Sequence, residues 1–225
     1  MSIVLVVSPH PDDETLGCGG TILRHKELND KVHWLIMTRM SQDAHHSKEI
    51  IEKRENEIKS VSKEYSFVSV HQAGFVTSTL DTLSNSELIN EVSKCFSKVQ
   101  PNVIYVPFRG DAHSDHQSVF DAVAACTKSF RYPYVRKVLA YETISETDFS
   151  IRPDITGFKP NLWIDISKYV EQKIKIMHIY EGEIDEHPFP RSELSIRALS
   201  TLRGGIAGCT AAEAFMILKE IEKDE

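Results

Sequence analysis

Cysteines are few in this sequence, and they are not closely spaced. They are Cys18, Cys95, Cys126 and Cys209. Because no two of them form a CxxC pair, the spacing indicates neither a disulfide framework nor a zinc site made of thiolates. We expect free and mostly buried thiols.

Basic stretches and long apolar runs are also missing. Lys and Arg number 26 against 33 Asp and Glu, which gives a net charge of −7. This balance argues against nucleic acid or an anionic membrane as a partner, because both need a basic surface. The first apolar run, residues 3–7, is too short for a signal-peptide core, and nothing approaches the ~18 apolar residues of a membrane-spanning helix. We therefore expect a cytoplasmic protein without a membrane span, forming a single domain over residues 1–225.

The glycine pattern lacks the spacing of a dinucleotide-binding loop. Gly17, Gly19 and Gly20 follow the first apolar run, but the third glycine of GxGxxG is absent. A pyrophosphate there would also face the acids of residues 12–14. A nucleotide-binding oxidoreductase is therefore disfavoured.

What the sequence does contain is an alternation of strand-like and helix-like segments. Strands are predicted at residues 3–7, 32–38, 67–75, 102–108, 137–143 and 161–166. Helices are predicted at about residues 16–28, 48–62, 86–99, 114–130 and 167–184. Residues 211–221 fit either structure. The alternation predicts an α/β fold with a Rossmann-like, mostly parallel sheet flanked by helices, whose binding site lies beyond the carboxyl ends of the strands.

The motif "HPDDE" follows the first predicted strand. A residue before proline avoids the helical conformation, so the chain should stay extended through His10. Asp12, Asp13 and Glu14 then fall in the first turn of a helix, where acids are common as caps. Carboxylates beside an imidazole also suit a cation, and a catalytic zinc takes three protein ligands and a water. The motif offers two such ligands and one further acid.

The segment "RGDAHSDHQSV", residues 109–119, follows the predicted strand at 102–108. Ser114 and Gln117 have the spacing of a capping box, which would leave His113 just outside the helix and His116 in its first turn. Two clusters of acids and histidines at equivalent places in the fold predict a metal site. His45 and His46, in a polar loop, are expected to be surface or substrate-loop residues.

The pair of motifs, HPDDE at 10–14 and HSDH at 113–116, resembles the PIG-L or LmbE-like family of N-acetylglucosaminyl deacetylases. "LGCGGTI" after the first motif, "KRE" at 53–55, "HPFPRS" at 187–192 and "AAEAF" at 211–215 extend the resemblance over nearly the whole chain. It implies an LmbE-like deacetylase fold and a zinc hydrolase that removes the acetyl group from N-acetylated sugars. The partner would then be a small N-acetylated sugar or sugar conjugate.

The resemblance also implies a role for each matching residue. The residues that match the family's Zn²⁺ ligands are His10, Asp13 and His116. Asp12 matches the general base, and His113 matches the residue that stabilises the oxyanion or protonates the leaving amine. Asp115 matches the acid that orients and charges this histidine. Arg54 matches a basic residue near the sugar.

Two alternatives use the same motifs. A zinc amidohydrolase acting on a non-sugar N-acyl compound would share all of them. A zinc-stabilised sugar-binding protein without catalysis is less favoured, because Asp12, His113 and Asp115 are surplus to a structural site, which normally has four protein ligands. The sequence does not distinguish Zn²⁺ from Fe(II). The sequence also leaves open the identity of the substrate. It leaves open the oligomeric state as well, for which a homo-oligomer is one alternative.

Overall fold

The computed structural model describes residues 1–42, 46–151 and 157–222. Its strands are β1 (Ile3–Ser8), β2 (Lys31–Arg39), β3 (Ser69–Val76), β4 (Val103–Pro107), β5 (Lys137–Tyr141), β6 (Leu162–Asp165) and β7 (Ala212–Glu220). They form one sheet in the order β3-β2-β1-β4-β5-β7-β6. The first five strands of this order run parallel, whereas β7 is antiparallel to β5 and β6. The predicted α/β class is confirmed, and the undecided segment at 211–221 is a strand.

The helices are α1 (Asp13–Glu27), α2 (Lys48–Tyr65), α3 (Asn85–Val99), α4 (Ser114–Ala125), α5 (Val170–Met177) and α6 (Glu193–Ala207). Helix α1 begins at Asp13, three residues before the approximate start at residue 16, and its first turn contains Asp13 and Glu14 as the motif predicted, with Asp12 as the cap. The predictions for α4 and α5 were too long. Helix α4 stops at Ala125, and the chain then turns, with the N–H of Tyr132 bonded to the carbonyl of Lys128. Helix α6 was not predicted.

The core has two layers because the central strands are buried on both faces. In β1, Val4 and Val6 face one apolar cluster, and Leu5 and Val7 face the other. The first cluster contains residues of α1, α2, α5 and α6, and the second contains residues of α3 and α4. Near-continuous apolar strands are typical of parallel sheets covered on both sides. None of the described helices is long and apolar enough to cross a membrane.

The glycines of "LGCGG" allow α1 to approach its neighbours closely. A Cβ at Gly17 would lie 2.2 Å from the ring of Tyr141, and one at Gly20 would lie 2.6 Å from Ile166. The carboxylate of Glu213 accepts the N–H of Gly20 at 2.9 Å and pairs with Lys173 at 2.7 Å. The glycines and the "AAEAF" motif therefore contact each other in the core.

The cysteines are all free. Cys18, Cys95 and Cys126 are buried, and Cys209 is half-buried. This agrees with the expected thiols.

Candidate metal centre and active site

Two loops carry the site, and the sheet order explains why they meet. Strands β1 and β4 are parallel neighbours, with Val4 opposite Val103 and Val6 opposite Tyr105. The "HPDDE" loop leaves the carboxyl end of β1, and the residue 109–116 loop leaves the carboxyl end of β4. The two histidine clusters therefore lie at the same edge of the sheet, as their positions in the sequence predicted.

His10, Asp13 and His116 come together around one point. Each of them offers a ligand atom that lies within 4.8 Å of the others. His10 Nδ1 is 3.5 Å from Asp13 Oδ2, and His116 Nε2 is 3.4 Å from Asp13 Oδ1. Burial opposes ionisation of Asp13, but the adjacent His116 and His10 hold its pKa well below the usual value. An ionised carboxylate therefore lies between two imidazoles.

The remaining ring nitrogens of these histidines are fixed by two further acids. His10 Nε2 donates to Asp115 Oδ2 at 2.9 Å, and His116 Nδ1 donates to Asp111 Oδ2 at 2.8 Å. The Asp111 carboxylate also accepts the hydroxyl of Thr147 at 2.6 Å. Histidines that bind metals commonly donate their other N–H to a carboxylate in this way. Asp111 was missed by the sequence analysis, although it lies within the "RGDAHSDH" segment.

His116 Nε2 provides the test of whether these residues fit a metal ion. The atom is fully buried and has no hydrogen-bond partner in the described structure. Buried polar atoms are almost always paired, and a neutral ring that donates from Nδ1 has a lone pair at Nε2. Burial opposes protonation of His116, but Asp13 and Asp111 raise its pKa well above the usual value, so the 3.4 Å gap between Nε2 and the Asp13 carboxylate suits either a proton or a cation. A divalent cation accepting from both atoms fits the arrangement, and the set of two nitrogens and one carboxylate is one that zinc takes in catalytic sites.

Asp12 is held in an unusual conformation at the start of α1. Its φ of 137° lies where residues other than glycine are rarely found. Its carbonyl accepts the N–H groups of Thr15 and Leu16, and its own N–H donates to Glu14 Oε2 at 3.0 Å. Strained residues persist where the surroundings fix them, and they cluster at functional sites. Burial raises the pKa of the Asp12 carboxyl well above its usual value, although Arg191 opposes this.

Glu14, the third acid of the motif, is part of the support for Asp12. Its side chain is fully buried and accepts hydrogen bonds from the hydroxyls of Thr15 at 2.6 Å and Tyr180 at 2.8 Å. Burial raises the pKa of this carboxyl to about 7. The Glu14 side chain thus accepts the backbone N–H of Asp12 and helps to hold that residue in place.

His113 begins α4 in a different way from the prediction. The expected capping box of Ser114 and Gln117 is wrong, because Ser114 is already helical. His113 is instead the cap, and its Nδ1 accepts the N–H of Asp115 at 3.1 Å. A neutral ring that accepts at Nδ1 carries its proton at Nε2. Burial also lowers the pKa of His113.

The carboxylate of Asp115 makes its hydrogen bonds with groups other than His113. Besides His10, it accepts the backbone N–H groups of Ser78 at 2.8 Å and Leu80 at 3.0 Å. Its contact with His113 runs through the backbone N–H, and the nearest ligand atoms of the two residues lie within 4.8 Å. Asp115 thus orients His10 through its carboxylate and His113 through its backbone N–H.

Two arginines converge at the site. Arg54 Nη2 is 2.5 Å from Glu183, its Nε is 3.2 Å from Glu57, and its Nη1 donates to the carbonyl of Pro11 at 3.2 Å. Arg191 Nη1 is 2.7 Å from Asp12 and 3.0 Å from Glu183. Arg191 was not among the predicted site residues, although it lies in the "HPFPRS" motif. Arg109, at the start of the residue 109–119 segment, pairs with Asp121 on the surface.

The family is shown by comparison with known proteins. The family model described as "GlcNAc-PI de-N-acetylase", PIG-L, matches residues 5–127, which is more than half of the chain. This chain belongs to the PIG-L family. The matched range contains both histidine clusters and Arg54.

Individual relatives of this PIG-L chain are distant but cover most of it. A probable N-acetyl-alpha-D-glucosaminyl L-malate deacetylase 2 of Bacillus anthracis is 23% identical over 80% of this chain and 80% of its own length. The diacetylchitobiose deacetylase of Thermococcus kodakarensis is 24% identical over 97% of this chain and 84% of its own. A conserved protein of Thermus thermophilus with a crystal structure has a TM-score of 0.78 at 24% identity, covering 100% of this chain and 98% of its own. At that identity the structural match shows the fold alone.

The predicted residues of this PIG-L chain all lie at one cavity of about 300 Å³ or directly behind it. The cavity is lined by His10, Pro11, Asp12, Thr38, Met40, His46, Arg54, Thr77, Ser78, His113, Glu146, Glu183 and Arg191. Asp13, Asp115 and His116 are buried behind this lining. His46 therefore borders the site, whereas His45 lies outside the described residues. A larger cavity of about 580 Å³ contains none of the predicted site residues.

Proposed function

We propose that this chain is a zinc-dependent hydrolase that removes the acetyl group from an N-acetylated sugar, releasing acetate and the free amine. The observation that carries the proposal is the unpaired, buried Nε2 of His116 facing Asp13, beside a second carboxylate on Asp12. One relative is named as a probable deacetylase of N-acetyl-alpha-D-glucosaminyl L-malate and another as a deacetylase of diacetylchitobiose, which supports this substrate class.

His10, Asp13 and His116 are the proposed metal ligands. When bound there, a zinc ion would polarise an amide carbonyl and lower the pKa of a water. The chain's own part is to fix the ligand atoms in advance. Asp115 and Asp111 hold the two imidazoles in the tautomers that leave one lone pair on each ring for the metal.

Asp12 is the proposed general base. Its carboxylate lines the cavity without belonging to the ligand group, and one of its oxygens is engaged by Arg191. The other oxygen accepts the proton of the attacking water. The same carboxylic acid then donates this proton to the departing amine, so that Asp12 is ionised again at the end of the reaction.

His113 is the proposed stabiliser of the developing oxyanion. Because its Nδ1 caps α4, the neutral ring donates from Nε2. A donor placed where negative charge develops contributes about 3 to 4 kcal/mol in enzymes where such a group was removed. Asp115 contributes by holding this ring and that of His10 in place.

Arg54 is the proposed contact to the sugar. A guanidinium has five N–H donors, and the described contacts engage one each at Nε, Nη1 and Nη2. The remaining N–H groups can donate to sugar hydroxyls in the cavity. Arg54 also has a structural part, since it holds the carbonyl of Pro11 next to Asp12.

Acetate release is the direct test. The chain would be stripped of metal, reloaded with Zn²⁺ or Fe(II), and assayed on N-acetylglucosamine, diacetylchitobiose, a nucleotide-linked N-acetyl sugar and several N-acetyl amino acids. We expect metal-dependent acetate release from the sugars. Release from the amino acids alone would favour the non-sugar amidohydrolase, and no release from any compound with either metal would contradict the proposal.

A further inference from the structure

We infer that the cavity favours uncharged N-acetylated sugars over phosphorylated ones, with Glu183 as the residue that sets this preference. The inference rests on the proposed function and deepens it by naming the substrate class. Its physical basis is that one carboxylate is shared between the two arginines that could otherwise hold a phosphate.

The geometry at Glu183 is a carboxylate clamped between two guanidiniums. Its Oε1 is 2.5 Å from Arg54 Nη2, and its Oε2 is 3.0 Å from Arg191 Nη1. Arginine binds phosphate best through paired N–H groups. Here one N–H group of each cavity arginine, at Arg54 Nη2 and Arg191 Nη1, is directed at the same carboxylate, an anion that competes with phosphate for both guanidiniums.

Each arginine also has further acceptors. Arg54 contacts Glu57 at 3.2 Å, and Arg191 contacts Asp12 at 2.7 Å and Glu146 at 3.4 Å. Arg191 Nε donates in addition to the hydroxyl of Ser145 at 2.8 Å. A phosphate that binds here must therefore compete with carboxylates for these guanidiniums.

The charged residues that line the cavity support the same inference. Among the described residues that line the cavity, Arg54 and Arg191 are the only Lys or Arg side chains, and they face the acids Asp12, Glu146 and Glu183. Like charges brought together in a partly buried site repel over several ångströms. The carboxylates that contact Arg54 and Arg191 compensate their charges, which disfavours a dianionic substituent at this end of the cavity and tolerates hydroxyl groups.

Glu183 is well suited for a test because a matched control lies two residues away. Glu181 belongs to the same segment, but its exposed side chain pairs with Lys53 outside the cavity. Glu183→Gln removes the charge at nearly constant shape and leaves both guanidiniums undercompensated. Glu181→Gln makes the same chemical change away from the site.

The main experiment compares two substrates in the zinc-loaded chain: methyl N-acetyl-β-glucosaminide and N-acetylglucosamine 6-phosphate. In the unmodified chain, kcat/KM should favour the uncharged sugar by about tenfold or more, and Glu183→Gln should shift this ratio toward the phosphorylated sugar by about tenfold. Because the ratio is measured, a general loss of turnover does not affect it. Glu181→Gln should leave the ratio unchanged. Equal or better use of the phosphorylated sugar by the unmodified chain, or equal ratios in the two variants, would overturn the inference.

A second measurement separates this inference from the proposed function. Inorganic phosphate would be titrated calorimetrically into the unmodified chain and into both variants, which requires no turnover. Tighter phosphate binding to Glu183→Gln alone supports the role of Glu183, even if neither sugar is hydrolysed and the proposed function fails. Equal phosphate affinity in all three chains would contradict that role, even if deacetylation of the uncharged sugar is observed.

Discussion

Replacing Asp111 by asparagine is expected to weaken metal binding without removing a metal ligand. The Asp111 carboxylate is fully buried and accepts from His116 Nδ1 at 2.8 Å and from the Thr147 hydroxyl at 2.6 Å. Asparagine has nearly the same shape but no charge, and one side of its amide can only donate. It can therefore satisfy one of the two donors, and the other is left facing an N–H group.

The size of the effect follows from these two bonds. A hydrogen bond to an ionised acceptor is roughly twice as strong as a neutral one, and the acid also increases the basicity of the ring that binds the metal. Loss of such a partner typically lowers metal affinity about 10- to 100-fold, which corresponds to about 1.4 to 2.7 kcal/mol. We expect the Zn²⁺ affinity of Asp111→Asn to fall within this range.

The assay is a competition titration of Zn²⁺ against a chromophoric chelator, with the unfolding free energy of the metal-free chain measured in parallel. Asp121→Asn provides the control. Asp121 lies in α4, the helix that carries His116, but it pairs with Arg109 on the surface. An Asp111→Asn chain that folds and binds Zn²⁺ as tightly as the control would refute the assignment of Asp111 as the support of His116.

Asp12→Asn should retain the metal and lose about 10²- to 10⁴-fold in kcat, because a proton acceptor is removed while the ligands remain; metal content and kcat measured together check this, and unchanged kcat would exclude Asp12 as the base. Gly204→Ala should destabilise the fold by about 1 to 3 kcal/mol, because its Cβ would lie 2.7 Å from backbone atoms. Gly205→Ala meets no atom within 4 Å and should stabilise the helix by up to about 1 kcal/mol; similar urea midpoints for the two variants would contradict this packing argument. Burial lowers the pKa of His25 below its ordinary 6.5, so the unfolded chain takes up the proton first and stability should decline as the pH falls through about 6.5. Urea unfolding at about pH 8 and pH 5.5 should show a smaller decline in His25→Gln, and an equal decline would disprove this contribution.

The strands of the sheet were predictable because their signal is local. Strand β1 is a continuous apolar run, and in the structure it is buried on both faces. The place of the site also followed from the sequence, since motifs at the carboxyl ends of parallel strands share one edge of the sheet. The ends of helices were less predictable. Helix α4 ends at Ala125, where the chain turns, although the helical sequence pattern predicted a helix as far as residue 130.

The supporting residues were not predictable in the same way. Asp111 and Glu14 are acids among other acids in the sequence, and their roles depend on which buried donor each one meets. The capping box at Ser114 was a reasonable local pattern, but His113 takes the N-cap position, and its Nδ1 accepts the N–H of Asp115. Arg191 reaches Asp12 across 179 positions of the chain, a contact that no local spacing indicates.

The sequence alone determined the chemistry available to this protein: an α/β sheet, two segments rich in acids and histidines, and an excess of acidic over basic residues. Only the tertiary structure decided how these groups are divided, with His116 Nε2 left without a partner, Asp111 and Asp115 fixing the rings, and Glu183 shared between two arginines. The physical reason is that residue types and local periodicity are written along the chain, whereas hydrogen-bond partners and charge compensation depend on distances between segments that meet only when the sheet is assembled.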